Sequence, residues 1–400
     1  MINFSGKLFS EAFERLQFLI LQAFIACTAL MMLVEFGQNA FANTLPDGQS
    51  LQLGARDSRF VYLGRIDFSK PDDPVLIWQS SEIQLDFTGS LLMLGFKDAR
   101  GQNFFDVEVD GSNTVLGLVE SSGEEWKPIR ASGAGWHHLR LVKRSEAAAG
   151  TVVFMGVVLD SDAKAARPAG PARPMRILFL GDSITVGACN EDGEMDQWQD
   201  RRTHDGDLSY AAFTARGLGA ELENISVSGM GVVTGWVPET ADQIWNRMYP
   251  NPGSVLADLA EWTPDVVFIN LGENDDSKTR SEGRPFPPGF VEKYQALVRA
   301  VSSAWPRAEL VLLRGGMTGG ATSLPLRAAW QDAVQNLERS DPVIHHYVFR
   351  HWTKTHPRVA DDQAMANELL QWLSTQKFMD GRAGPATTPS EKKGGPPPSN

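Results

Sequence analysis

The sequence predicts two domains: an N-terminal all-β sandwich of the jelly-roll type, then an α/β domain of three layers around a parallel sheet. Three observations carry this. From about Leu51 to Leu159 apolar and polar residues alternate in short runs with no convincing helix between them. Residues 162–175 then shift to Ala, Pro and Arg, a composition that cannot bury a core. Beyond them, unbroken apolar runs alternate with stretches whose apolar residues recur three and four apart.

Taken in order, residues 16–34 are almost continuously apolar, Lys7 and Arg15 precede them, and Ala40-Phe41-Ala42 offers a small-residue cleavage pattern. Residues 1–42 therefore read as a cleaved signal peptide or, being long enough to cross a bilayer, an uncleaved membrane anchor; a lipid-modified Cys27 is the third reading. Each of these places the bulk of the chain outside the cytoplasm, secreted or periplasmic, touching membrane only through that segment. Cys27 and Cys189 are the only cysteines, so a chain cleaved after the signal cannot form an internal disulfide. Cys189 is expected to be a small buried thiol.

In the sandwich, placed at 43–161, Ile83-Gln84-Leu85-Asp86-Phe87 and Phe105-Asp106-Val107-Glu108-Val109 each put three apolar residues on one face. His138 to Leu141 and Thr151 to Leu159 supply further strands. Trp78, Trp126 and Trp136 either fill its core or stack on sugar. Residues 162–175 are read as a semi-extended linker. In the second domain, 176–380, strands are expected near 176–180, 221–227, 265–271, 308–313 and 343–349, with the clearest helices at Pro288 to Trp305 and Asp361 to Trp372. The tail, 381–400, is Gly, Pro, Thr, Ser and Lys and is expected to be disordered.

Some function classes are disfavoured at once. A formal net charge of −12, without clustered Lys and Arg, argues against a nucleic-acid partner. His137-His138 and His345-His346 are adjacent pairs that point to opposite faces if they lie in strands, so no metal site is expected from them.

The chemistry begins at Arg176-Ile177-Leu178-Phe179-Leu180-Gly181-Asp182-Ser183, an apolar run ending in a small-residue turn. The turn should lie at the carboxyl edge of the parallel sheet, where open α/β sheets keep their sites. Alone, Gly-Asp-Ser is also ordinary turn chemistry. Downstream, in order, stand Ser228-Gly229-Met230-Gly231 after the second strand, Gly272-Glu273-Asn274-Asp275 after the third, and His356-Pro357 before the last helix. This ordered set resembles the SGNH (GDSL-like) hydrolases. Gly181-Asp182-Ser183-Ile184-Thr185, Ser209-Tyr210-Ala211-Ala212, the Ser228 to Gly231 pattern and His356-Pro357-Arg358-Val359-Ala360 further resemble the family-2 carbohydrate esterases, in which a β-sandwich precedes the hydrolase domain. The likeness covers most of residues 50–378.

The resemblance implies a serine esterase that removes O-acetyl groups from a polysaccharide or oligosaccharide, with no cofactor and no metal. A serine hydroxyl needs a base, and His356, in a loop at the same sheet edge, is assigned that role with Ser183 as nucleophile. Oxyanion donors are the Ser183 N–H, Gly229 and the Asn274 amide, with Gly231 competing for the second place and a plain helix cap as the alternative reading of Asn274. Most SGNH enzymes carry an Asp two or three residues before the histidine; Thr353 and Lys354 stand there. A Ser–His dyad with its ring steered by a backbone carbonyl is therefore expected, a distant carboxylate being the alternative. Asp361 and Asp362 read as the cap and first turn of the last helix. Trp236 and Trp352 are the candidate substrate-binding aromatics. A polysaccharide O-acetyltransferase would use the same residues, and a non-catalytic carbohydrate-binding protein is the reading from another class.

Overall fold

A computed structural model describes residues 50–170 and 175–382. The expected signal or anchor and nearly all of the expected tail lie outside the described residues. Two antiparallel sheets form the first domain. One runs β3 (Ile66–Asp67), β4 (Val75–Leu76), β11 (Gly150–Leu159), β6 (Leu91–Gly101), β9 (Ser121–Arg130), with β1 (Leu51–Gly54) also on β11. The other runs β12 (Ala165–Ala166), β5 (Glu82–Thr88), β10 (Trp136–Lys143), β7 (Asn103–Val109), β8 (Ser112–Leu118), with β2 (Val61–Leu63) on β5. Alternation does the sorting: Ile83, Leu85 and Phe87 are buried while Gln84 and Asp86 are half-exposed. Phe87, Phe96, Phe105, Leu139 and Phe154 meet in one core between the sheets.

The expected linker is shorter than its composition suggests. Ala165 and Ala166 pair with Phe87 and Asp86, and the Arg167 guanidinium donates to the Phe60 carbonyl at 2.6 Å. Small residues can join a sheet edge mainly through backbone bonds, and Ala165 adds a partly buried contact with the sandwich core, so a stretch with little to bury still becomes a strand.

The second domain is a parallel sheet in the order β14 (Glu221–Ser226), β13 (Arg176–Gly181), β15 (Val266–Asn270), β16 (Glu309–Met317), β17 (Ile344–Thr353). Its helices are α1 (Ser183–Val186), α2 (Tyr210–Leu218), α3 (Ala241–Ile244), α4 (Glu273–Ser281), α5 (Phe290–Ala304), α6 (Thr318–Thr322), α7 (Leu324–Ser340) and α8 (Val359–Leu373). β13 shows why its sequence lacks alternation: Leu178 and Leu180 face the core under α5 and α7, Ile177 and Phe179 the core under α2 and α8.

The domains share a core. Ile77, Trp78 and Ala147 of the sandwich pack with Ile225, Val227 and Trp245 of the hydrolase domain, which settles Trp78 as packing. Polar contacts reinforce the seam. The Gln79 amide donates to the carbonyls of Asn224 (3.1 Å) and Ser226 (3.0 Å), and buried Arg144 pairs with Asp106, Glu191 and Asp205. Trp136 is exposed, and Trp126 lies over Gly95 on β6.

Candidate active site

Where β13 ends, Asp182 in extended backbone caps α1, its Oδ1 accepting the Ile184 N–H at 3.1 Å. That cap turns the chain sharply and leaves Ser183 as the first helical residue at the carboxyl edge. His356 comes from the loop between β17 and α8, and its Nε2 lies 2.9 Å from Ser183 Oγ. The structure thus brings the expected nucleophile and base together across the sheet edge.

It does not leave them as a dyad. Asp196 Oδ2 lies 2.7 Å from His356 Nδ1 and also accepts the His356 backbone N–H at 3.2 Å, while Asp196 Oδ1 pairs with Arg358 at 2.9 Å. A carboxylate, not a backbone carbonyl, therefore steers the ring, correcting the expected dyad. Burial opposes ionisation of Asp196, yet the hydrogen bond and charge of His356, with Arg358, hold its pKa at about 2. Asp196 lies 160 positions before the histidine, in the loop between α1 and α2. No periodicity or local spacing relates the two, which is why sequence reasoning missed it. Trp198, on the same loop, meets the His356 ring edge-on at 5.1 Å.

Asp361 caps α8 through the Arg358 N–H and pairs with His351 at 2.8 Å. Asp362 is buried and accepts the Tyr210 N–H at 3.0 Å. His137, His138, His345 and His346 pair with Asp110, Asp86, Glu309 and Glu338, away from Ser183.

Gly229 has φ +82°, and a Cβ there would sit 3.1 Å from Trp236 Cβ, so glycine suits both the backbone and the space. Among the described residues its N–H reaches no protein acceptor. It lines the same cavity as Ser183 and His356, whereas Gly231 does not. The Asn274 amide, on the first turn of α4, lies 3.2 Å from Asp182 Oδ2 and 3.0 Å from the Met230 carbonyl. An oxyanion at Asn274 must therefore compete for a hydrogen already directed at protein. Burial pushes Asp182 up to about 8, against the Ile184 N–H and helped by Glu273 and Asp275. Asp275 takes the N–H groups of Val232 (2.8 Å), Val233 (2.7 Å) and Thr234 (3.1 Å), tying the loop after Gly229 to the helix that carries Asn274. Burial raises it to about 6, against those three donors.

Ser183, His356, Gly229, Asn274, Trp198 and Trp236 line a cavity of about 600 Å³. Trp236 is 54% exposed, its indole N–H on Ser277 Oγ and the Lys278 ammonium 4.7 Å from its ring. Trp352 does not line the cavity: it sits on β17, partly exposed, before the chain leaves the sheet for His356. Trp330 is core.

Among the described residues two clusters bring metal-ligating atoms within 4.8 Å of one another, Cys189–Asp196–His356 and Cys189–Asp192–His204. Those atoms already have protein partners: His356 Nδ1 has Asp196, and His204 Nε2 has the Gln197 carbonyl at 2.9 Å. Cys189 is buried at φ +59°, and burial pushes its thiol well up, the opposite of an activated thiolate.

Residues 62–168 match the family model for the carbohydrate esterase 2 N-terminal domain, and residues 179–365 that of the GDSL-like lipase/acylhydrolase family. The solved structure of a family two carbohydrate esterase from Clostridium thermocellum, in complex with cellohexaose, matches with a TM-score of 0.70 and 31% identity. The match covers 79% of this chain and 98% of that one. The chain belongs to the family-2 carbohydrate esterases. Another relative, cellulase/esterase CelE of Acetivibrio thermocellus, is 32% identical over 320 residues, which are 77% of this chain and 38% of that protein. This chain thus spans well under half of that relative's length. An acetylxylan esterase / glucomannan deacetylase of Cellvibrio japonicus is 26% identical over 315 residues, 75% of this chain and 85% of that protein. The stretch matching the family's N-terminal domain ends past β12, so the short strand inside the expected linker belongs with the sandwich.

Proposed function

We propose that this protein is a serine esterase that removes small acyl groups, acetyl foremost, from hydroxyls of a polysaccharide, and that it works outside the cytoplasm. The observation that carries the reading is the Ser183–His356–Asp196 chain of contacts at 2.9 and 2.7 Å, opening into a cavity beside Gly229 and Asn274. The acetyl-polysaccharide substrate is supported by the activity named for the Cellvibrio relative, and export by the apolar N-terminal stretch.

Ser183 Oγ attacks the acetyl carbonyl carbon as His356 Nε2 takes its proton, while Asp196 holds Nδ1–H and stabilises the imidazolium. Negative charge on the carbonyl oxygen is met by the N–H groups of Ser183 and Gly229 and by the Asn274 amide. His356 then protonates the departing sugar oxygen. Water, deprotonated by His356, attacks the acetyl-serine; the bond to Ser183 Oγ breaks, His356 returns the proton to that oxygen, and acetate leaves. These side chains and water suffice, with no metal or organic cofactor in any step.

The test is to incubate the purified protein with acetylated glycans and follow free acetate. Release that vanishes in Ser183→Ala and His356→Ala supports the reading. Release unchanged in Ser183→Ala refutes it. Acetyl groups that reach another sugar hydroxyl in place of water would make the protein a transferase built on the same residues.

A further inference from the structure

We propose that Glu146, carried into the site by the sandwich domain, is a positioning residue of the esterase centre, holding both the oxyanion loop and the loop that bears Asp196. This rests on the esterase reading of Ser183. Glu146 lies between β10 and β11 and lines the catalytic cavity, yet its side chain is only 1% exposed. Its Oε2 accepts the backbone N–H of Ser228 at 3.1 Å, the residue immediately before Gly229. Fixing that N–H limits rotation of the segment whose next N–H must meet the oxyanion. Its Oε1 pairs with Arg201 at 3.1 Å. The Arg201 guanidinium lies 5.0 Å from the Trp198 ring, and Trp198 packs on His356.

One carboxylate thus touches the oxyanion side directly and the histidine side through two further residues. With both oxygens engaged, Glu146 acts through its neighbours. A bare anion beside a developing oxyanion would oppose catalysis; Arg201 neutralises it, so the pair gives rigidity without net charge.

The sandwich grips the same loop at a second point. Gln102 Oε1 accepts the Arg201 N–H at 2.9 Å, and its Nε2 donates to the Gln199 carbonyl at 2.8 Å. The Glu146 turn is itself pinned. Buried Lys143 donates to the Ser145 carbonyl at 2.8 Å, and the Ala147 N–H donates to Gln79 Oε1 at 3.1 Å. Gln79 in turn bonds β14, so the turn is indexed to the parallel sheet.

The test uses the full chain with Glu146→Ala and Glu146→Gln, steady-state hydrolysis of p-nitrophenyl acetate, and amide hydrogen exchange. Removing a hydrogen-bonded charge that fixes catalytic geometry predicts a loss of about 10- to 100-fold in kcat for Glu146→Ala, with KM within about twofold. Glu146→Gln, whose amide oxygen can still take the Ser228 N–H, should recover much of that loss. Exchange should quicken at 197–203 and 227–236 in Glu146→Ala while the sandwich core keeps its protection. A Glu146→Ala enzyme within twofold of the parent in kcat, with unchanged exchange at 227–236, overturns the proposal. So does quickened exchange throughout the fold, which would make Glu146 a stability residue. If the parent showed no Ser183-dependent turnover, the esterase reading would fail, and the exchange data would still decide whether Glu146 holds these loops.

Discussion

Asp196 is where dyad and triad part, and replacing it with Ala or Asn separates them. In the structure it accepts two hydrogen bonds from His356, from Nδ1 at 2.7 Å and from the backbone at 3.2 Å. A hydrogen bond to a charged partner contributes about 1.5–3 kcal/mol, which at about 1.4 kcal/mol per decade is about 10- to 150-fold in rate. Asp196→Ala should therefore lose about 10- to 150-fold in kcat/KM. Asp196→Asn should lose more, up to about 10⁴-fold, because an amide N–H facing Nδ1 favours the tautomer whose proton sits on Nε2 and blocks the base. The assay is p-nitrophenyl acetate hydrolysis alongside Ser183→Ala. Because the folded pKa of Asp196 is lowered to about 2 from 3.8, its stabilising contribution is present above 3.8 and is lost as pH falls through 2. The difference in Tm between parent and Asp196→Ala should thus shrink as pH falls from 4 to 2. An Asp196→Ala enzyme keeping more than half of the parent's kcat/KM would return the site to a dyad.

Further outcomes follow from other contacts. Asp275→Asn should lower kcat about tenfold by loosening the 232–234 loop. Since burial raises Asp275 to about 6 from 3.8, its contribution is full below 3.8 and is lost as pH rises through 6, so the variant's Tm should gain on the parent's between pH 4 and 7. Arg144→Met leaves Asp106 and Asp205 buried without their cation; denaturant titration should show a loss of about 3–5 kcal/mol. Trp236→Ala should raise KM for an acetylated polysaccharide several-fold and leave p-nitrophenyl acetate nearly untouched, whereas Trp352→Ala, outside the cavity, should change neither.

Much of the architecture was legible because burial leaves a pattern. β13 and β15 face cores on both sides and read as continuous apolar runs, and α5 and α8 fall within two residues of the expected helices because one stripe of each is apolar. Ser183 and His356 were legible because they belong to an ordered set of motifs that resembles a known family, each placed where the chain passes from strand to helix at one sheet edge. Asp196, Arg201 and Glu146 were not. They sit in irregular loops where no period constrains the side chain, and their meaning arises only when the fold sets remote segments side by side. Trp352 misled for the related reason that nearness to His356 along the chain says nothing about direction once the chain leaves a strand. β12 was hidden because edge pairing through the backbone leaves no mark in composition.

The packing of Ile77, Trp78 and Ala147 against Ile225, Val227 and Trp245 reaches beyond the site. Separating the halves would uncover a wet apolar face and strand Arg144 and Gln79 from their partners, so neither half is an independent thermodynamic unit. A calorimeter should record a single heat-absorption peak rather than two. Modular exchange of the N-terminal half between relatives would succeed only where this seam is carried along with it.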